Sequence, residues 1–252
     1  IKESPSTIRS LTKVFREELP QVENATAIKY GDLHTLETES HKKISGEEAY
    51  VDSAFFRIFP FPVTEGNPEH IANHPDNIIL SETMARKMFG SSPAVGQKLT
   101  YSGYGRENIY NVVAVVKIPP KSHIRFDIAY PMDSYGRGMA GYSWDRFREN
   151  IHVYIKMKAG DGGKMYEKEL KSMSRALGKF GEKRTLLRFQ SIRDIHLHTT
   201  FSDPCVKNHG NVATIYLFTA LAILVIFMGA FNFTTLSTAR ASMRYKEIGV
   251  RK

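Results

Sequence analysis

ATIYLFTALAILVIFMGAFNFTTL, residues 213–236, decides how the rest of the chain is read. Thr214, Thr219, Asn232, Thr234 and Thr235 are its only polar interruptions, and no charged side chain stands between His209 and Arg240. At 1.5 Å of rise per residue, a helix of this length reaches roughly 36 Å, enough to cross a hydrocarbon core of about 30 Å with some tilt. The alternative is a buried core helix, but those seldom run beyond about 18 apolar residues without a charge. The stretch is therefore read as a membrane span.

The flanks give the span a direction. Arg240, Arg244, Lys246, Arg251 and Lys252 follow it, against a single acid, Glu247. Excess Lys and Arg mark the cytoplasmic side of a span, which places the C-terminus in the cytoplasm and the preceding two hundred or so residues outside it. An exported domain needs a signal or an anchor. None is visible at Ile1, so an earlier anchor upstream of this sequence is expected.

The remaining composition is that of a folded domain. Charged residues make up 24% and aromatics 11% of the 252 residues, too ordinary a balance for disorder. The net charge of +9 is concentrated in two places. Residues 240–252 contribute +4, and residues 164–193, with nine Lys/Arg against three Glu, contribute +6. The excess sits in a membrane-flanking tail and one amphipathic segment with no recognition motif beside it, so nucleic acid is not taken as a partner. Cys205 is the one cysteine, which excludes an intrachain disulfide and a cysteine-based metal site.

Along the chain, Ser4-Pro5-Ser6-Thr7 reads as a helix start ahead of Ile8, Leu11, Phe15 and Leu19 at helical spacing, with Pro20 as the stop. Residues 22–50 shift to short alternating segments and turns, hence strands. Residues 77–80 (NIIL) predict a strand that leads into a helix capped by Ser81, with Met84, Met88 and Phe89 inward and Gly90 at its end. Residues 98–102 and 109–117 predict a hairpin across Gly103-Tyr104-Gly105, its second arm apolar enough to be buried. Residues 151–158, a helix over 164–177 and residues 185–197 predict a β–α–β unit, and the N-terminal helix with its strands a second.

Each candidate for chemistry has a plainer explanation. Gly103-Tyr104-Gly105 lacks the third glycine and the helix of a dinucleotide loop. Residues 160–165 (GDGGKM) are too short for a phosphate loop and carry Met165 where a hydroxyl would hold Mg²⁺. His196 and His198 share a strand face but lack a third ligand. Ser40-His41-Lys42-Lys43 matches the Ser-x-x-Lys of acyl-serine enzymes without the companion motifs. No catalytic, cofactor or metal site is expected, and the basic helix over 164–177 is read as a solvated face.

Several stretches resemble the extracytoplasmic core domain of MacB/FtsX-type ABC transporter permeases. These are VDSAFFRIFPFPVTEGNP (51–68), NIILSETMARKMFG (77–90), PAVGQKL (93–99), VVAVVKIPPKSHIRFD (112–127) and, most specific, YLFTALAILVIFMGAFNFTTLSTARASMRYKEIGVRK (216–252), whose ending KEIGVRK (246–252) resembles the family's signature just inside the membrane. The resemblance implies an α+β fold with a porter-like lobe of β–α–β units, residues 1–51 and 150–205. It also implies an inserted strand-rich, sabre-like lobe over 52–149, a transmembrane helix over 213–236 and a cytoplasmic stub over 237–252. It further implies residence in a cell inner membrane, with residues 1 to about 212 periplasmic.

The function so implied is that of a permease that transmits ATPase-driven motion across the membrane to export or extract a peptide, lipoprotein or drug. ATP hydrolysis would belong to a separate ABC ATPase subunit, contacted through Arg244, Lys246, Glu247 and Arg251. A second permease copy or half, a periplasmic adaptor and membrane lipid complete the implied partners. Two alternatives stay open: an FtsX-like signalling permease that activates a cell-wall hydrolase, and a membrane-tethered binding or sensor module.

Overall fold

The computed structural model describes residues 7, 9–31, 33–103, 106–135, 151–158, 189–192 and 212–250. The best local signals of the sequence lie at strand β6 (Asn77–Ser81) and helix α3 (Glu82–Phe89). The Ser81 side chain accepts the Met84 amide at 3.1 Å, satisfying one of the free donors of the first turn. At the other end Gly90 adopts φ +67°, open to glycine without strain, and its amide closes the helix on Arg86 O. Met84 and Met88 are buried, and Phe89 is half-buried.

Before these come α1 (Leu11–Glu18), β1 (Val22–Tyr30), β2 (His34–Thr38), β3 (Lys43–Gly46), β4 (Glu48–Val51), α2 (Phe55–Ile58) and β5 (Val63–Gly66). After them come β7 (Lys98–Gly103), β8 (Arg106–Val116), β9 (Ile128–Pro131), β10 (Ile151–Met157) and α4 (Val212–Val250). The ten strands form one mixed sheet in the order β10-β1-β4-β9-β6-β8-β7-β2-β3, with β5 on β8. Strands drawn from residues 1–51 and from 52–149 thus share a sheet: β4 joins β1 to β9, and the β2–β3 hairpin lies beyond β7. The class is α+β.

The parallel pairs are β4 with β9 and β6 with β8. The second encloses α3, giving a β–α–β crossover in which β7 is laid beside β8. Around α1 the pairings are antiparallel, β1 with β10 and β1 with β4. The hairpin expected across residues 103–105 forms, with Gly103 opposite Arg106. Its second arm is buried through Val112, Ala114, Val115 and Val116. Gly66 is constrained here: its φ is +70°, and a Cβ would stand 2.1 Å from Val113 O.

Three packed groups hold the sheet. Leu36, Ile78, Leu80, Met84, Leu99, Val112 and Ile128 form the main core under α3. Leu11, Phe15 and Leu19 of α1 and its exit pack on Val22, Ala25, Val153 and Ile155. Full burial of each such large side chain stabilises by about 1.5–3 kcal/mol. The phenylalanine-rich stretch builds the third group: Phe55 is fully buried, its ring 5.1–6.3 Å from those of Phe56, Phe59, Phe61 and Phe126.

The N-terminal cap differs from expectation. Thr7 N donates to Ile151 O at 2.8 Å, so Thr7 is drawn into a bridge with β10 and the helix cannot start there. Helix α1 begins at Leu11 behind Ser10, whose side chain makes no capping bond. The expected helix over 164–177 lies outside the described residues. So does most of the strand expected over 185–197, of which residues 189–192 are described and belong to no strand.

Candidate functional site

The strands and helices up to Ser191 belong to one compact unit and α4 to a second. Helix α4 runs without interruption through 39 residues, roughly 58 Å at 1.5 Å per residue. Within its stretch Ala213–Ala241 an 18-residue window reaches a mean hydropathy of 2.3, and that window is unburied. Phe227, Phe231 and Phe233 are 60–73% exposed, an apolar surface that water does not favour and a bilayer does.

Four threonine side chains of this stretch are made compatible with hydrocarbon by the helix itself. Thr219, Thr234, Thr235 and Thr238 each donate their hydroxyl at 2.8 Å to the carbonyl four residues earlier. Each hydroxyl proton is thereby satisfied without an outside partner, which removes the main cost of placing threonine in lipid. The charged residues begin at Arg240. Arg244 is exposed on α4. Lys246 and Glu247 lie on the same continuous helix, and Arg251 lies outside the described residues.

Within the sheet-bearing unit, a buried polar group stands among tyrosines. The Glu48 carboxylate receives Tyr130 Oη at 3.1 Å and lies 2.6 Å from His34 Nδ1. Burial, and then the charge of Glu48, hold the Tyr130 phenol well above its ordinary range. Tyr50 and Tyr110 stack and abut on Tyr130 with centroids 5.2 and 5.0 Å away. No local pattern in the sequence marks Glu48, because its partners are 14 and 82 positions away.

A second buried polar group is His123. Its ring meets Tyr154 at 5.7 Å and Phe59 at 6.2 Å, and its Nε2 is buried without a hydrogen-bond partner. Burial, reinforced by His152, lowers its pKa below the ordinary value of 6.5.

The weaker motifs resolve locally. Ser40 and His41 occupy the turn between β2 and β3, with His41 at φ +62°. Ser40 Oγ bonds Thr38 Oγ1 at 2.9 Å, so this Ser-x-x-Lys is a hairpin turn. Residues 160–165, His196, His198 and Cys205 lie outside the described residues. Among the described residues no group of three or more His, Cys, Asp or Glu is arranged to hold a metal ion.

Comparison with known proteins matches residues 2–173 to the family described as MacB-like periplasmic core domain. Among solved structures, a domain of a protein described as a permease, from Porphyromonas gingivalis, aligns with a TM-score of 0.57 at 19% identity. That alignment covers 72% of this chain and 79% of the other. The extracellular domain of the noncanonic ABC-type transporter YknZ from Gram-positive bacteria aligns with a TM-score of 0.50 at 14% identity, covering 71% and 87%. The periplasmic region of MacB from Actinobacillus actinomycetemcomitans gives 0.48 at 11% identity, covering 71% and 74%. At these identities the structural likeness speaks for the fold alone. No curated protein matches the chain.

Proposed function

The chain belongs to the family of MacB-like periplasmic core domains, and from that premise we propose that it serves an ABC transporter permease by carrying ATPase-driven motion across the membrane. The observation that carries this reading is the continuity of α4. One helix holds both the apolar stretch Ala213–Ala241 and the segment that leads to the charged end. Beyond Ala241 the helix continues to Val250, roughly another 13 Å. An unbroken helix transmits a push or a tilt, whereas a flexible linker would absorb it.

In this reading the end after Ala241 is cytoplasmic, the side its excess of Lys and Arg favours, and residues 1 to about 212 are periplasmic. Arg244, Lys246, Glu247 and Arg251 meet a separate ATPase subunit. Residues 1–51 and 150–205 act as a porter-like lobe and 52–149 as a sabre-like one. The lobes work against a second permease copy or half and a periplasmic adaptor, and the cargo is a peptide, lipoprotein or drug.

The test is co-purification from cells. Replacement of Arg244, Lys246, Glu247 and Arg251 by alanine is expected to abolish recovery of an ABC ATPase with the chain while membrane insertion persists. Undiminished recovery of the ATPase would refute the assignment of those residues.

A further inference from the structure

A cleft of about 590 Å³ opens beside α1 in the sheet-bearing unit. Arg9, Lys13 and Arg16 line it from one side, spaced so that they share the face of α1 and of the turn leading into it. Val51, Ala72, Pro75, Pro131 and Met132 supply apolar lining.

Asp133 and Asp52 also line the cleft, and both carboxylates are already engaged. Arg9 Nη1 holds Asp133 Oδ1 at 2.5 Å. Asp52 accepts Thr26 Oγ1 at 2.5 Å, Ala54 N at 3.0 Å and Ala27 N at 3.2 Å, bonds that tie it to the start of α2 and to β1. The two remaining cations have no such match. Lys13 reaches Glu17 only at 3.9 Å, with both side chains more than half exposed, a contact worth little in water. Arg16 gives its Nε to Thr12 O at 3.1 Å. Among the described residues no carboxylate pairs with its guanidinium.

We propose that this cleft binds a small amphipathic phosphate monoester, its oxyanion on Lys13 and Arg16 and its short apolar part against Val51, Pro131 and Met132. The chemistry selects phosphate over carboxylate. A guanidinium fork and an ammonium one helical turn apart suit a doubly charged group with three free oxygens, and Ser10 and Ser53 line the same cleft. A carboxylate offers two oxygens and one charge. The ester belongs either to a soluble metabolite or to a lipid headgroup, which share this chemistry. The proposal stands apart from the ATPase-coupling reading and survives its failure.

The test uses the full chain in phosphatidylcholine nanodiscs, titrated with butyl phosphate by calorimetry. For a ligand of this size in an open cleft, saturable binding is expected with a Kd on the order of 1 mM, weakening as salt is raised. K13Q and R16Q should each weaken it roughly five- to tenfold, less than a buried charge-assisted bond because both side chains are exposed, and together abolish saturation. Both side chains are exposed, so the melting temperature without ligand should stay unchanged and report an intact fold. Butanol should not bind. Absence of saturation with butyl phosphate, equal binding by the double variant, or binding of pentanoate as tight as that of butyl phosphate overturns the proposal. Repeating the titration in nanodiscs that contain phosphatidic acid, whose headgroup is a phosphate monoester, separates the sources. Competition by the disc assigns the site to a lipid headgroup, and an unchanged titration assigns it to a soluble ester.

Discussion

Replacing Glu48 by alanine tests the packing of the sheet where a charge is most deeply placed. Glu48 is 2% exposed and holds Tyr130 Oη at 3.1 Å and His34 Nδ1 at 2.6 Å. Without the carboxylate, the Tyr130 hydroxyl, in a residue 3% exposed, loses this acceptor, a loss of about 1–3 kcal/mol. The His34 side chain is 28% exposed, so water replaces its partner at small cost. The lost methylene packing adds about 1 kcal/mol, for a total of roughly 2–4 kcal/mol, below the upper range for a fully buried ion pair. For a unit of this size that is a drop in melting temperature of roughly 5–15 °C. The assay is a thermal melt of Glu48→Ala, Tyr130→Phe and the double variant. The two changes should be non-additive by about 1–2 kcal/mol, because phenylalanine leaves no hydroxyl to strand. A cost below about 1 kcal/mol for Glu48→Ala, or strict additivity, would refute the reasoning.

Three further outcomes follow from the same geometry. Ser81→Ala removes the cap on Met84 N and should destabilise the domain by about 1 kcal/mol, read by denaturant midpoint, and Ser81→Asp should not restore it, because it sets a second carboxylate beside Asp127 Oδ1, which lies 3.4 Å from Ser81 Oγ. His123 is neutral in the folded domain down to a lower pH than in the unfolded chain, so the unfolded state binds more protons as pH falls. Stability should therefore be flat above about pH 6.5 and decline as pH drops from there toward the lowered folded value. His123→Phe, which keeps a ring against Phe59 and Tyr154, should flatten that decline in melts across pH. Leu224→Arg places a charge within the apolar stretch of α4 and should cost roughly 3–4 kcal/mol of insertion, read as loss of carbonate-resistant membrane association.

The legible parts of this fold were those encoded over a few residues. The β6–α3 unit could be read because apolar run, Ser81 cap and Gly90 stop follow one another within 14 residues of NIILSETMARKMFG. The β7–β8 hairpin was readable for the same reason. Strand order was not, since β4 meets β9 across some eighty positions, and alternation states only that a strand has two faces. The start of α1 differs from the one its residues suggest because Thr7, a good capping residue by type, is claimed by Ile151 from far along the chain. At α4 the apolar length and the basic flank were visible at once. The carbonyl bonds of its threonines follow from helix geometry rather than from any motif. The partners of Glu48 and the cationic side of the cleft depend on which surfaces come together, which residue spacing does not record.

The most direct test of the central claim is to break α4 between Ala241 and Ser242 with an inserted Gly-Pro pair. The measurement is the ATP-dependent change in distance between spin labels on two copies of the sheet-bearing domain, in membranes that also hold the ATPase. The account predicts a clear change in the parent, and its loss in the broken helix while the ATPase still co-purifies. No change in the parent, or the same change after the break, would contradict it.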